Sequence, residues 1–537
     1  MKNIVSAFLM TAILVGTLFM AFDVRPVEAR GAIYIRADGS IDPPTSPISS
    51  VDNATYFVIG NITSDADGIV VQRDNIIIDG AGCTIQRTGV RAFYPSGISL
   101  VKGNNVTIKN TRIEDFFFGI YLNSTSHISI VGNSITDNYN GIDLGFSSNN
   151  VICGNHITDN DNRGILLVYS NDNALNGNNV TSNFEGISII YSPNNYLANN
   201  TLGGNARNFG VLGETKDDFL QNIETSNTVE GRPIYYWINR TAEVVPTNAG
   251  YVAIVDSRDV RVEGLNMSHN LQGILLAYSV NSTVEDNKLA DSLYGVSLVG
   301  GGTNKVANNS IANSDYGVGL RYSTLNNLSG NTFSENIRGM LLIYSSNNNS
   351  ITQNVFAEGS IGIDLVSADF NSISQNNFTR NQQGIMIDSS FDNMIYHNSF
   401  VYNSHQVYVY SQSACIWDSG YPSGGNYWSD YAGVDVKSGP NQDLPGSDGI
   451  GDTPYVIDGS NQDNYPIMTS PETPNGPGDV SGDGVVSIYD VVLATASYGS
   501  MQGSPAWNSG ADQAQPYGRI DIFDLVTIAS NYGKTYP

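Results

Sequence analysis

Asp479-Val-Ser-Gly-Asp-Gly-Val-Val-Ser-Ile-Tyr-Asp490 sets oxygen donors at the spacing of a cation-binding loop. Asp479, Ser481, Asp483, the Val485 carbonyl, Ser487 and Asp490 take positions 1, 3, 5, 7, 9 and 12, with Gly484 at 6, where such a loop turns sharply. Hard oxygen ligands in that order suit Ca²⁺. The apolar run from Val491 to Tyr498 then predicts a helix. A second copy, Ala511 to Gly533, keeps a helix and Asp524. Counting back from Asp524 as position 12, Gly518 is position 6, but Tyr517, Gln515 and Gln513 stand at 5, 3 and 1, and Asp512 lies one residue early. One working Ca²⁺ loop and one degenerate structural loop are expected. Ile488/Tyr489 and Ile522/Phe523 are read as a symmetric apolar set holding the helices together.

Most of the chain is a different object. Gly followed by an apolar residue recurs at Gly97, Gly119, Gly141, Gly164, Gly186 and Gly210, and again from Gly250 through Gly273, Gly295, Gly317, Gly339, Gly362 and Gly384. The steps are 22 to 24 residues, except for one of 40 between Gly210 and Gly250. A fixed period over so many copies means a solenoid. Within a unit, as in Gly164-Ile-Leu-Leu-Val-Tyr-Ser, apolar residues alternate with period two, the pattern of strands. Asn, Gly, Ser and Asp cluster between the short runs, where tight turns need them. This predicts three short strands per unit, a parallel β-helix with rungs about 4.8 Å apart. Residues +1 and +3 after each Gly, such as Ile142/Leu144, Ile187/Ile189, Ile274/Leu276 and Ile363/Leu365, should point inward in a single register. Asn at equivalent turns should stack into ladders that pair otherwise unsatisfied amides.

The outward positions, +2 and +4, are where a rod does its chemistry. Charged residues there are sparse: Asp143, Arg321, Asp364 and Asp388. Glycoside cleavage needs paired carboxylates. Asp364 and Asp388, on adjacent rungs and roughly 8 Å apart by strand spacing, are the one pair that qualifies, with solvated surface acids as the competing reading. Much of this face is apolar instead: Leu166/Val168, Leu275/Ala277 and Leu341/Ile343. It is a contact surface or is covered by the insertion after Gly210. Tyr169, Tyr191, Tyr278, Tyr322 and Tyr344 recur at +5, with Phe146 in the same slot. Tyr169, Tyr191, Tyr322 and Tyr344 are candidate glycan-stacking residues; a purely structural ladder is the alternative. The five histidines fall at different phases, and the three cysteines, Cys83, Cys153 and Cys415, suggest no disulfide framework.

The repeat resembles the right-handed parallel β-helix repeats of the NosD-like and "carbohydrate-binding and sugar hydrolysis" families over roughly residues 31–467. Gly424-Gly-Asn-Tyr-Trp-Ser-Asp-Tyr431 and Asp448-Gly-Ile-Gly-Asp-Thr-Pro-Tyr455 are similar to signatures that close such helices in surface proteins, often archaeal ones. The Asp479–Asp490 loop looks like the first half of a type I dockerin, which implies Ca²⁺-dependent docking to a cohesin-like partner. The expected fold is therefore all-β, a right-handed parallel β-helix followed by a small α-helical dockerin-like EF-hand module.

The expected organisation is a signal peptide over 1–29, an N-terminal cap over 30–96 and repeats over 97–410 with an insertion at about 212–249. A C-terminal cap over 411–468, a Pro-rich linker over 469–478 and the module over 479–533 follow. Lys2, the apolar stretch Ile4–Phe22 and Val27-Glu28-Ala29 fit secretion, with no membrane anchor left after cleavage; the length of the apolar run makes an uncleaved membrane anchor the competing reading. In the cap, Asp443, Asp448, Asp452 and Asp458 are either Ca²⁺ ligands or turn residues. The formal charge of -26 speaks against nucleic acid as a partner. The functional expectation is a secreted or cell-surface scaffold that binds a polysaccharide or glycoprotein. A polysaccharide lyase or glycoside hydrolase is the alternative.

Overall fold

The computed structural model describes residues 31–89, 94–411, 413–469, 478–480, 486–501, 508–514 and 519–534. It is a right-handed-type parallel β-solenoid of about 16 turns with rungs of ~22 residues. A representative rung has one longer strand, Asn140–Gly145, then Val151–Cys153 and His156–Thr158. Each strand pairs in parallel with its counterpart one rung on, so Ile142 sits over Ile165 and Ile165 over Ile187. These isoleucines, with Leu144 and Leu167, have no exposed surface.

The repeated glycine is a matter of space. A Cβ on Gly141 would lie 2.5 Å from the Gly164 carbonyl oxygen and 2.8 Å from Ile157 Cγ2. The Asn ladders form as expected. Asn133 Nδ2 donates to Asn155 Oδ1 at 3.0 Å, and Asn155 Nδ2 donates to Asn178 Oδ1 at 3.0 Å and to the Ile130 carbonyl at 2.9 Å. Each buried turn thereby finds partners for its amides.

The single register does not hold across the insertion. The longer strands from Ser96–Val101 to Arg207–Leu212 form one sheet, and those from Tyr251–Val255 onward form another. Ile142 and Ile187 thus stack in the first, Ile274 and Ile363 in the second. The cause is the insertion. Arg232–Ile238 folds back antiparallel on Thr228–Val229 instead of turning a rung, then pairs in parallel with Tyr251–Val255. Strand direction reverses at that point, and the sheet becomes a wall between two cores. Ile234, Tyr236, Tyr251, Ala253, Val255, Leu275, Ala277 and Val299 join the core of the first stack. Alternate residues of the same strands, Val252, Ile254, Ile274 and Leu276, join that of the second, with Tyr235 and Trp237 packed against it. The outward apolar positions Leu275 and Ala277 therefore close the open end of the first stack. Burying each large aliphatic side chain there contributes about 1.5–3 kcal/mol.

The far ends are closed as well. At the N-terminus Ile41–Asp42 and Ile48–Ser49 add antiparallel edges. At the other end an internal aromatic stack runs Phe333, Phe356, Phe378, Phe400, Trp428 and Tyr455, with centroids 4.2–4.9 Å apart. Trp417 and Trp428 are buried, and their indole N–H groups donate to Asn461 and Asp463. Beyond residue 477, helices α1 (Ile488–Ala496) and α2 (Ile522–Ser530) share a small core of Val480, Val486, Ala494, Ala511, Ile520 and Ile528. The pair has internal two-fold character: Gly499 N–H donates to the Ile520 carbonyl at 2.8 Å, and Gly533 N–H to the Val486 carbonyl at 2.7 Å. Ile488, Ile522 and Phe523 are 64%, 54% and 60% exposed, so the expected apolar set lies on the surface rather than holding the helices together. Among the described residues no helix is long and apolar enough to cross a membrane. The signal region, the linker segment 470–477, and Ser481, Asp483 and Val485 lie outside the described residues.

Candidate functional site

The +5 aromatics form two external ladders, one per stack. Phe146, Tyr169 and Tyr191 stack at 5.2 Å intervals with ring planes 12° and 13° apart. Tyr322 and Tyr344 stack at 5.4 Å and 20°. All five have left-handed backbones, φ between 49° and 52°. That conformation is costly for an aromatic residue. The rung spacing enforces it: Tyr169 N–H donates to the Ile190 carbonyl at 3.1 Å, as part of the sheet ladder. Placed where the strand ends, the rings stand along an edge, and Phe146, Tyr169 and Tyr322 are 43%, 43% and 45% exposed.

The ladders converge at the bend, where Arg232–Ile238 leads the chain from the first stack into the second. Tyr191 O–H of the first stack donates to Glu214 Oε1 at 3.5 Å, and Tyr278 O–H of the second donates to the Glu214 carbonyl. Burial, then the Glu214 charge, pushes the Tyr191 phenol up to about 12. The ladder slot between Tyr278 and Tyr322 is Gly300. A Cβ there would lie 2.8 Å from the Tyr278 ring, so the glycine gives that ring its room. A shallow crevice lies alongside, lined by Leu212, Gly213, Val299, Arg321, Leu341 and Ile343 among others. Arg321 Nη1 reaches the Gly213 carbonyl at 3.4 Å. Sequence reasoning missed Arg207, Glu214 and Asp315. Arg207 of the first stack pairs with Asp315 of the second at 2.8 Å, a contact that only the bend creates.

Asp364 and Asp388 lie on adjacent rungs as expected, Asp364 opposite Met386 and Asp388 opposite Val366. They are not two solvated acids. Asp364 is 2% exposed, and its Oδ2 accepts from Arg338 Nε at 2.7 Å. Its Oδ1 is buried without a partner. Burial pushes its carboxyl up to about 6, against the pull of Arg338. The Arg338 guanidinium lies 5.5 Å from the Tyr316 ring centre, and Tyr316 stacks on Tyr294 at 4.8 Å. Asp388 accepts from Ser389 Oγ at 3.0 Å and Ser411 Oγ at 3.2 Å. Asp143, the acid at the matching slot of the first stack, is also buried, and burial pushes it up to about 7.

In the first C-terminal loop, Asp479 and Asp490 are buried, and Ser487 caps α1. Asp490 Oδ2 accepts from Ser487 N–H at 2.7 Å. In the second loop Asp524 is turned back on the loop's own backbone. Its Oδ1 accepts from the N–H groups of Gln513 and Ala514, both at 2.7 Å, and its Oδ2 from Asp521 N–H at 2.8 Å. Backbone donors thus reach both oxygens of the Asp524 carboxylate. Of the cap acids, Asp448 accepts from Ile450 N–H and Asp458 from Ser460 N–H within local turns, while Asp452 accepts from Lys437 N–H across the cap.

Fold and surface together define a capped parallel β-solenoid with external aromatic ladders. The family model described as "Periplasmic copper-binding protein (NosD)" matches residues 56–244 and 226–433, and the chain belongs to that family. No curated protein sequence matches it. Several solved β-helix structures are similar. The Azotobacter vinelandii mannuronan C-5 epimerase AlgE4 A-module is 15% identical, with 56% of this chain and 89% of that one covered and a TM-score of 0.26. The periplasmic alginate epimerase AlgG is 13% identical, with 71% and 84% covered and a TM-score of 0.28. The alginate lyase from Paenibacillus sp. str. FPU-7 is 11% identical, with 55% and 99% covered and a TM-score of 0.21.

Copper does not fit the described residues. Among them no three His, Cys, Asp or Glu side chains come together to hold a metal. The histidines are dispersed, His127 against Asn104, His156 against Asn179 and His397 against the Ser423 carbonyl. The cysteines are free and far apart in sequence.

Proposed function

We propose that the protein is a non-catalytic, secreted or cell-surface glycan-binding scaffold. The observation that carries this reading is the pair of exposed aromatic ladders converging on one bend. Sugar rings offer C–H faces that stack on aromatic rings, and two ladders meeting at an angle suit a chain lying along both. In this reading Tyr169, Tyr191, Tyr322 and Tyr344 are the binding platform. A glycan array on the full chain tests it: Tyr169→Ala with Tyr322→Ala should abolish retention while leaving the melting temperature within a few degrees. Unchanged retention by that double variant would refute it.

The C-terminal pair acts, in the same reading, as a dockerin-like anchor to a cohesin-like partner, with one Ca²⁺ on Asp479, Ser481, Asp483, the Val485 carbonyl, Ser487 and Asp490. Asp524, closed onto backbone amides, supports one site rather than two. Calorimetry on the full chain should give one tight Ca²⁺, lost in Asp483→Ala. A stoichiometry of two would show that the second loop also binds.

A polysaccharide lyase or hydrolase is the second reading. The buried Asp364, with one oxygen unpartnered and its carboxyl pushed up to about 6, favours it. Turnover of a uronan or neutral glycan, lost in Asp364→Asn or Asp388→Asn, would establish catalysis.

A further inference from the structure

Arg321 stands out of its row. The +4 positions of the second stack run Ala277, Val299, Arg321, Ile343 and Val366 in direct register, so one cation interrupts an apolar line. The neighbouring arginines at the bend are neutralised, Arg207 by Asp315 at 2.8 Å and Arg338 by Asp364 at 2.7 Å. Arg321 makes no ion pair among the described residues; it has the long contact to the Gly213 carbonyl and the neutral phenol of Tyr294 beside it. A guanidinium set among apolar side chains loses hydration and gains little in return. In a chain of net charge -26, a nearby carboxylate is easy to supply, yet among the described residues this position has none within ion-pair distance. Arg321 also precedes ladder residue Tyr322 and lines the crevice beside it.

We infer that the bend holds a subsite for an acidic sugar, whose carboxylate is received by Arg321 while the ring stacks on the Tyr322–Tyr344 ladder. The inference rests on the glycan-binding reading and names the ligand class. A guanidinium fork matches a carboxylate with two parallel hydrogen bonds, and in a partly dry crevice such a contact gains strength. Glu214 follows the crevice-lining Gly213 in the chain, with its side chain engaged by Tyr191. It supplies acceptors for sugar hydroxyls and weakens, without cancelling, the field of Arg321. The overall negative charge does not forbid the encounter, because charges beyond a Debye length of about 8 Å are screened at physiological salt.

The test compares one polymer in two charge states. Calorimetry or affinity electrophoresis is run on the full chain with oligogalacturonate and its methyl ester, and with oligomannuronate, all in EDTA so that no divalent cation bridges acids. The acidic oligomers should bind at least tenfold more tightly than the ester. Arg321→Gln should erase that difference with no change in melting temperature, and Glu214→Gln should tighten acidic binding by a few fold. Equal binding of acid and ester by the wild type, or an Arg321→Gln variant that keeps the preference, overturns the inference and leaves the glycan reading standing. Failure of every oligomer to bind, together with an empty neutral-glycan array, removes both.

Discussion

The two stacks obey one sequence rule but use their outer faces differently. In the first stack the +4 row begins at Val101, 55% exposed, and passes through Asn123 and Gly145. In the second it begins at Ala277 and Val299, which are buried, because that face closes the end of the first stack. The same Gly-anchored strand is thus a surface in one stack and an internal wall in the other. A solenoid must cover its last apolar rung, and this chain does so with a second solenoid.

The largest effect should come from charging the wall. Leu275→Asp places an unpaired acid between the two cores, at a cost of at least ~3 kcal/mol. Ser99→Asp, at the matching +2 slot of the first stack, should stay within about 0.5 kcal/mol. Thermal melts of both variants measure the contrast, and equal losses would remove it.

The inner ladders should show no such contrast. Asn155→Ala strands the Ile130 carbonyl and the Asn133 amide, and Asn309→Ala strands the Val284 carbonyl and the Asn287 amide in the second stack. Each should cost roughly 1–3 kcal/mol. A tolerated ladder in one stack would show that the cores differ as much as the faces.

Acidity separates the stacks more finely. Burial raises Asp143 from 3.8 to about 7, so the folded state holds a proton that the unfolded state has lost between those values. Stability from this group therefore falls as pH rises from about 4 to 7 and levels off above. Asp143→Asn should raise the melting temperature at pH 8 and change it little at pH 4. Asp364→Asn should gain less at pH 8, because it also strips Arg338 of its partner. The smallest effect belongs to Arg207→Ala or Asp315→Ala. That partly exposed pair contributes about 0.5–1 kcal/mol. Its loss should register in small-angle scattering as a broader distribution of bend angles; an unchanged profile would leave the angle to the apolar wall alone.

The sequence by itself determined the rung. Its period set the strand count per turn, its alternation set the inward residues, and its Asn and Gly positions set the ladders and close approaches, because each depends on neighbours one rung away. It also marked the aromatic slots and the asymmetry of the two C-terminal loops, which depend on local spacing. Tertiary structure alone decided that Arg232–Ile238 reverses direction, that Leu275 and Ala277 face a second core, and that Arg207 meets Asp315 across 108 residues. An apolar outward residue reads the same whether solvent, a ligand or another core covers it. That choice rests on a single antiparallel pairing at Thr228–Val229, whose register no repeat encodes.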